Sequence, residues 1–163
     1  MVALQRFNEI LVKVGSWGTI LFMASIAIVI PYEVIGRYVF EKMNIWTGEV
    51  STYSLVWASM LGGAVGLKKG YMVNMTSVVE SVPPAAAKLL RMLAFLCSLA
   101  FFGAMFGYGL YQTIYNWKQT SPAIGLIMSF PYAALPTGFL IMFFLTLEEF
   151  LRYLGLGEKG GAQ

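Results

Sequence analysis

Four long runs without a charged residue constrain this chain more than any other feature of its sequence. They cover residues 14–32, 50–67, 92–117 and 119–147, which are 19, 18, 26 and 29 residues long. Each run is long enough to cross about 30 Å of hydrocarbon as an α-helix. Lipid offers the backbone no hydrogen bonds, so only helices and closed β-barrels span a membrane. Runs such as LFMASIAIVI lack the alternation of a barrel strand, and the sequence therefore predicts an all-α integral membrane protein.

Charges, prolines and glycines predict where the helices begin and end within one membrane domain, residues 1–163. We expect four transmembrane helices, at residues 15–39, 47–68, 85–116 and 130–153. Residues 1–13 are amphipathic, which predicts a segment that lies on the membrane surface or runs straight into the first helix. Residues 71–82 are too polar to span and predict a second surface segment. Pro136 is expected to bend the last helix.

The distribution of Lys and Arg predicts the orientation of the chain, because cytoplasmic loops carry an excess of these residues. With the N-terminus inside, eight of them are cytoplasmic and three are outside. The cytoplasmic set is Arg6, Lys13, Lys68, Lys69, Lys88, Arg91, Arg152 and Lys159, and the outer set is Arg37, Lys42 and Lys118. Both termini are therefore expected to be cytoplasmic, in a multi-pass membrane protein.

The residue inventory argues against an enzyme, a bound cofactor and a metal site. The chain has no histidine, and its one cysteine, Cys97, lies inside the third apolar run. Intrachain disulfides, Cys and His metal clusters and histidine proton relays are thereby excluded. No pair of nucleophile and base can be nominated, and no nucleic-acid partner is expected.

Charged residues concentrate between the first and second apolar runs. Glu33 and Arg37 are four residues apart on one helix face, and Glu49 begins the next helix at similar depth. We expect these three side chains, joined by Trp46, to form a structural charge cluster that fixes the angle between the two helices. A transport carboxylate is instead expected near mid-bilayer, and no run has an acidic residue at its middle.

Small residues at helical spacing predict faces for close packing between helices or against a partner. The second and third helices carry them, at Thr52, Ser59, Gly62, Gly63, Gly66, Gly103 and Gly107. Cys97, Ala100 and Ala104 continue the stripe of Gly107 on the third helix.

Two groups of charges are expected at the cytoplasmic helix ends. Lys68 and Lys69 end the second helix, which predicts an ordinary topological stop that also contacts anionic lipid headgroups. Glu148, Glu149 and Arg152 end the fourth helix, where pairing within one helix is the expected arrangement.

Several of these features together resemble the DctQ-type small membrane subunit of tripartite ATP-independent periplasmic (TRAP) transporters. The resemblance rests on EVIGRYVF at 33–40, Trp46, TGEVSTYSLVWASMLGGAVGLKKG at 47–70, Pro83 and FPYAALPTGFL at 130–140. It implies a non-catalytic scaffold that braces a large multi-span subunit in secondary active transport (symport) of organic acids such as dicarboxylates. It further implies that sodium coupling resides in that large subunit and that a periplasmic binding protein delivers the substrate. By the same resemblance, the protein is expected in the cytoplasmic (inner) membrane of a bacterium or archaeon. The outer loops around 41–44 and 118–121 are expected to meet this binding protein.

One alternative function follows from the residues alone. A self-contained, homo-oligomeric small transporter or channel would use Glu33 as its coupling carboxylate. The position of Glu33 at the end of a helix, away from the membrane centre, weakens this alternative.

Overall fold

A computed structural model describes residues 2–41, 44–69 and 83–155. Its long helices are α1 (Val2–Val39), α2 (Ile45–Lys68) and α3 (Pro84–Tyr115). A 3₁₀ turn follows at Asn116–Lys118, and the last span consists of α4 (Ser129–Tyr132) and α5 (Ala134–Tyr153). Four spans are long and apolar enough to cross a membrane. The predicted all-α membrane architecture is confirmed.

The helix boundaries differ from the prediction mainly at the N-terminus. α1 begins at Val2 and runs unbroken past Pro31 to Val39, so the amphipathic N-terminal stretch continues directly into the first span. Of the two alternatives for that stretch, a separate surface segment is therefore the wrong one. α2 begins two residues earlier than expected, at Ile45. The predicted surface segment at 71–82 lies outside the described residues.

A break at Ala133 divides the last span into α4 and α5. Pro136 lies in the first turn of α5 and has no backbone N–H with which to bond the carbonyl four residues earlier. The helical bonds resume with the Thr137 N–H, which donates to the Ala133 carbonyl at 3.2 Å. The last span is therefore interrupted one turn before the proline, and the bend itself stays a prediction.

The two helices α2 and α5 lie at the centre of the molecule, and we call them the central pair. α1 packs on α2 and contacts α5, whereas α3 packs on the other side of α4 and α5. Within the described residues, α3 contacts neither α1 nor α2. The buried apolar residues accordingly belong to the central pair: Ala58, Leu61, Ala64, Ala134, Phe139, Met142 and Leu145. The apolar side chains of α1 and α3 remain largely exposed to lipid or to another chain.

The central pair approaches closely at two glycines. A Cβ atom on Gly138 would lie 2.8 Å from the Met60 Cβ, and one on Gly63 would lie 2.9 Å from the Met142 Cε. On the other side of α5, a Cβ on Gly109 would lie 3.1 Å from the Pro136 ring. Lipid gives apolar helices no hydrophobic reason to associate, so contacts this close supply much of the packing free energy.

Replacing Gly138 with Ala is expected to destabilise the fold by about 1–3 kcal/mol, the usual cost of overpacking. The added methyl group would meet Met60 Cβ, which lies near the backbone and cannot move away as a side-chain end can. Gly66→Ala is the matched control, because a Cβ atom there meets nothing within 4 Å. Thermal unfolding in detergent, followed by circular dichroism, should separate the two variants, and equal midpoints would refute close packing at Gly138.

Candidate functional site

A buried carboxylate joins three helices at one end of the molecule, and we call this group the Glu148 cluster (Asn8, Lys68, Glu148 and Arg152). The Lys68 Nζ lies 2.7 Å from one carboxylate oxygen of Glu148, and the Asn8 amide donates to the same oxygen at 2.6 Å. Arg152 approaches the other oxygen at 3.4 Å from the same helix. Because Asn8 is on α1, Lys68 on α2 and Glu148 on α5, one carboxylate ties all three together.

Burial distinguishes the members of the Glu148 cluster. The Glu148 side chain is 3% exposed and that of Lys68 is 23% exposed, whereas that of Arg152 is 63% exposed. A pair shielded from water loses far more when one partner is removed than an exposed pair does. The contact between Lys68 and Glu148 therefore dominates, and Arg152 contributes less. Asn8, which is fully buried, also donates to the Phe144 carbonyl and so fixes the start of α1 against α5.

The opposite end of the central pair carries a folded segment at 119–128, which we call the outer hairpin because the Lys and Arg distribution predicts this end to be outside. Its backbone closes on itself: the Ser121 N–H donates to the Leu126 carbonyl at 2.8 Å, and the Met128 N–H donates to the Gln119 carbonyl at 2.8 Å. Gly125 adopts a positive φ of 66°, which glycine accepts without strain. The predicted loop is thus an ordered turn.

The carboxylate of Glu49 accepts three hydrogen bonds from the outer hairpin. The Ser121 hydroxyl donates to it, as do the backbone N–H groups of Ala123 at 3.1 Å and Ile124 at 3.2 Å. Glu49 lies near the start of α2, while the hairpin connects α3 to α4. A second contact between α2 and this region is the Tyr53 hydroxyl on the Met128 sulfur at 3.4 Å. The hairpin is therefore held against the central pair.

The predicted structural charge cluster is not formed. The ion pairs in the described part of the chain are both made by Glu148, so Glu33 and Arg37 are not bridged despite their favourable spacing. Glu49 bonds the outer hairpin instead of Arg37. Trp46 packs near Tyr32 of α1, with ring centroids 6.0 Å apart. The physical reason is that backbone N–H groups of the outer hairpin already satisfy the Glu49 carboxylate. Arg37 is exposed, so pairing with Glu49 would cost it part of its hydration for little gain.

The predicted small-residue faces divide into buried and open parts. On α2, Gly62 packs against Thr19 of α1 and Gly63 packs against Met142 of α5. Thr52 and Ser59 are instead exposed, and their hydroxyls donate to backbone carbonyls of their own helix. A Cβ atom on Gly66 would meet nothing within 4 Å. The edge of α2 formed by Thr52, Ser59 and Gly66 is consequently smooth, and no described residue packs against the position of a Cβ on Gly66.

On α3 the uncovered face points away from the rest of the chain. Gly103 makes an ordinary contact with Phe143 of α5, but a Cβ on Gly107 would meet nothing within 4 Å. Cys97, Ala100 and Ala104 are exposed on the same stripe as Gly107, which we call the outward α3 stripe. Residues of α3 such as Phe102 and Met105, which pack on the core, lie on the opposite side of the helix.

An apolar groove lies on the surface of the described residues. A groove of about 190 Å³ between α3 and α5 is lined by Gly103, Phe106, Leu140, Phe143 and Phe144. These residues present no polar side chain to a carboxylate substrate. The described residues also contain no cluster of three or more metal-ligating side chains. What the polar groups do in this structure is hold helices and the outer hairpin in place.

Two features were missing from the sequence-based prediction. Asn8 lies on the amphipathic N-terminal stretch, 140 residues from its partner Glu148, and nothing local indicates that contact. For the outer hairpin, the available signals were Ser121, Pro122 and Gly125, which are typical turn residues. The contact of the Lys68 Nζ with Glu148 was also not predicted, and the predicted contact of Lys68 and Lys69 with lipid headgroups stays a prediction.

Comparison with known proteins identifies a family. The family model for the DctQ component of tripartite ATP-independent periplasmic transporters matches residues 26–155. This range runs from α1 to the end of α5, so it includes both Glu49 with the outer hairpin and the three charged members of the Glu148 cluster. Asn8 lies before it.

Relatives of established name agree with the family. The sialic acid TRAP transporter small permease protein of Vibrio cholerae is 22% identical over 153 residues, which cover 94% of this chain and 88% of that protein. The ectoine TRAP transporter small permease protein of Halomonas elongata is 25% identical, over 67% of this chain and 58% of that protein. The isethionate TRAP transporter permease protein DctMQ of Oleidesulfovibrio alaskensis is 22% identical, over 78% of this chain but only 21% of that protein.

Proposed function

This chain belongs to the DctQ component family of TRAP transporters, and from that premise we propose that it is a scaffold that braces a large multi-span membrane subunit. Membership makes it a small permease subunit in the inner membrane and not an enzyme. The scaffold role is the further step. For that role the chain must be rigid, and it must have a surface that is free to contact the large subunit.

The uncovered small-residue faces carry the proposal. The outward α3 stripe and the open edge of α2 are left without partners among the described residues, although Gly107 and Gly66 permit very close approach of another helix. Rigidity comes from the Glu148 cluster at one end of the central pair and from Glu49 with the outer hairpin at the other. A body fixed at both ends can hold a neighbouring subunit in place while that subunit moves.

A large TRAP membrane subunit is the proposed partner. The isethionate relative supports it, since its name joins M and Q in one permease protein and this chain matches only 21% of its length. A chain that contains a small-permease portion and a much longer remainder keeps the two portions together covalently. In the present protein, contacts between helices would replace that covalent link.

Substrate and coupling ion are proposed to be chosen by the other subunits. The relatives are named for sialic acid, ectoine and isethionate, and another, from Vibrio cholerae, is named for C4-dicarboxylates. Such variety fits a subunit without a polar substrate site. We propose organic acids as the substrate class and place symport with sodium in the large subunit.

Further proposed partners are a periplasmic binding protein and membrane lipids. The family description names periplasmic transporters of three parts, which fits a soluble component outside the membrane. Lys69 is exposed at the basic end of α2 and is proposed to contact anionic headgroups, while Lys68 pairs with Glu148. The family match over residues 26–155 supports a subunit of a larger transporter over the alternative of a self-contained transporter that uses Glu33.

Uptake by reconstituted vesicles tests the proposal. We expect this chain alone to give no substrate uptake above empty vesicles, and the chain together with the large subunit and the binding protein to restore it. The large subunit with the binding protein but without this chain is the matched control, and it should transport poorly because it lacks its brace. Full uptake by that control, or uptake by this chain alone, would refute the scaffold role.

A further inference from the structure

We propose that the surface of α5 between α1 and α3, which we call the lipid furrow, binds one anionic phospholipid. An acyl chain lies in the apolar groove of the furrow, and the headgroup contacts Lys88 and Arg152. The site does not depend on the scaffold role. It is also separate from the proposed contact of Lys69 with headgroups, because α2 packs on the opposite side of α5, at Gly138 and Met142.

The lipid furrow exists because α1 and α3 both pack on α5 without contacting each other in the described part of the chain. On one side, the rings of Phe7 and Phe144 meet with centroids 5.8 Å apart. On the other side, a Cβ atom on Gly103 would lie 3.8 Å from the Phe143 ring. Between these contacts is the groove of about 190 Å³, whose lining is wholly apolar: Gly103, Phe106, Leu140, Phe143 and Phe144.

The shape of the groove favours an acyl chain over a helix of another protein. An α-helix with its side chains is a rod about 10–12 Å wide. A groove of about 190 Å³ between two packed helices cannot take up such a rod, which would lie across the opening and leave the groove empty. A hydrocarbon chain has no side groups and bends at each bond, so it can fill the groove.

The lipid furrow continues from the groove toward the end of the molecule that carries the Glu148 cluster. Leu140, Phe144, Leu147 and Leu151 recur at steps of four, three and four residues and therefore share one face of α5. Leu140 is about 18 Å along the helix from Arg152, at about 1.5 Å per residue. One leaflet of the hydrocarbon core is about 15 Å thick. An acyl chain whose headgroup lies at Arg152 therefore reaches the groove.

Two basic side chains lie where the headgroup would be. Arg152 is 63% exposed and makes only the long contact of 3.4 Å with Glu148. Lys88 of α3 is exposed and lies on the same face as Gly103, since residues 88, 92, 99 and 103 recur at steps of four, seven and four. Basic groups between transmembrane helices near the membrane surface bind anionic lipid headgroups.

The acidic residues of α5 do not neutralise this end of the lipid furrow. Glu148 is 3% exposed and pairs with Lys68. Glu149 is exposed, but it is nine residues from Leu140, which is two and a half turns, so it lies on the opposite face of α5. The headgroup end is therefore basic, which selects an anionic phospholipid over a zwitterionic one.

Native mass spectrometry of the full chain, freed of lipid in detergent, tests the recognition of the headgroup. Dioleoylphosphatidylglycerol is expected to bind once per chain and at least tenfold more tightly than dioleoylphosphatidylcholine. Displacement by glycerol 3-phosphate would assign the site to free phosphate esters and overturn the proposal. The double variant Lys88→Gln with Arg152→Gln should weaken binding about tenfold, whereas Lys69→Gln, the control, should not. Equal loss in the control would show that binding follows total charge.

The groove is tested by filling it. Gly103→Leu places a side chain in the groove and should weaken binding of dioleoylphosphatidylglycerol about tenfold. Gly107→Leu is the matched control, because it makes the same change one turn along α3 at a position that does not line the groove. Leu140→Phe narrows the groove from α5 and should act as Gly103→Leu does, so a folding defect in one variant does not decide the result. Unchanged affinity in both groove variants would overturn the proposal.

Photo-crosslinking locates the acyl chain directly. The unaltered chain is placed in nanodiscs of phosphatidylcholine that contain phosphatidylglycerol with a diazirine at the middle of one acyl chain. After illumination, the label should concentrate on residues 140–144 of α5 and 103–106 of α3. Even labelling of the exposed residues of α1 and α3 would show that only bulk lipid covers the furrow, and would overturn the proposal. Because the large subunit is absent from these measurements, neither outcome bears on the scaffold role.

Discussion

Replacing Glu148 with Ala is expected to lower the free energy of unfolding by about 3–5 kcal/mol, the usual cost of breaking a buried ion pair. The variant would leave the Lys68 ammonium in a site that is 23% exposed without its counter-charge, and would remove the acceptor of the Asn8 amide. Three helices would lose their common contact at once. Thermal or denaturant unfolding of the purified protein in detergent measures the change.

Two further variants make the prediction for Glu148 specific. Glu149→Ala removes the neighbouring carboxylate, which is exposed, and should change stability little. The double variant Lys68→Met with Glu148→Leu should recover most of the lost stability, because an apolar pair of similar volume needs no counter-charge. If Glu148→Ala and Glu149→Ala prove equally stable, the Glu148 cluster does not hold the three helices together.

Replacing Gly107 with Leu is expected to abolish most of the assembly with the large subunit and to leave the isolated chain stable. Gly107 is exposed and a Cβ atom there meets nothing within 4 Å among the described residues, so we expect the larger side chain to cost little internal packing. Removing a helical glycine even favours the helix, by up to about 1 kcal/mol. Against a closely packed partner helix, the same side chain would force the backbones apart.

Gly66→Leu on the open edge of α2 is the companion variant, since a Cβ atom there too meets nothing within 4 Å among the described residues. The measurement is the yield of the large subunit that co-purifies with each tagged variant, beside the unfolding midpoint of the variant alone. Loss of assembly in Gly107→Leu only would assign docking to the outward α3 stripe, and loss in both would extend the interface to α2. Normal assembly of both variants would exclude these faces.

The membrane architecture could be predicted from the sequence because it depends on properties that are local to each segment. Hydropathy and length define a span, and the ends of α2 and α3 fell within two residues of the prediction. The start of α1 was less certain, since an amphipathic stretch satisfies both a surface helix and an extension of the span. In the structure α1 is continuous from Val2, and its residue Asn8 bonds Glu148 of α5.

The polar contacts could be predicted much less well, because their partners are distant in the sequence. Spacing indicated that Glu33 and Arg37 share a helix face, but not that Glu49 would find three donors in a turn more than 70 residues later. Pairing of Glu148 with Arg152 was expected and is present at 3.4 Å, whereas the shorter contact to Lys68 of α2 was not expected.

Periodicity showed which residues of α2 and α3 are small, but not which of them are covered. Gly62 and Gly63 are adjacent in the sequence and face different helices, because α2 packs on α1 and α5 on neighbouring sides. Thr52, Ser59 and Gly66 continue the same pattern and remain open. Which of these residues are covered depends on where the neighbouring helices lie. The residue pattern of a single helix does not contain that information.

The central claim is that this chain is a rigid scaffold for a large membrane subunit. Native mass spectrometry of the complex from a membrane in which both are expressed, with a tag on this chain alone, tests it most directly. The expected result is a complex that contains this chain together with the large subunit. A closed homo-oligomer of this chain, without the large subunit, would contradict it.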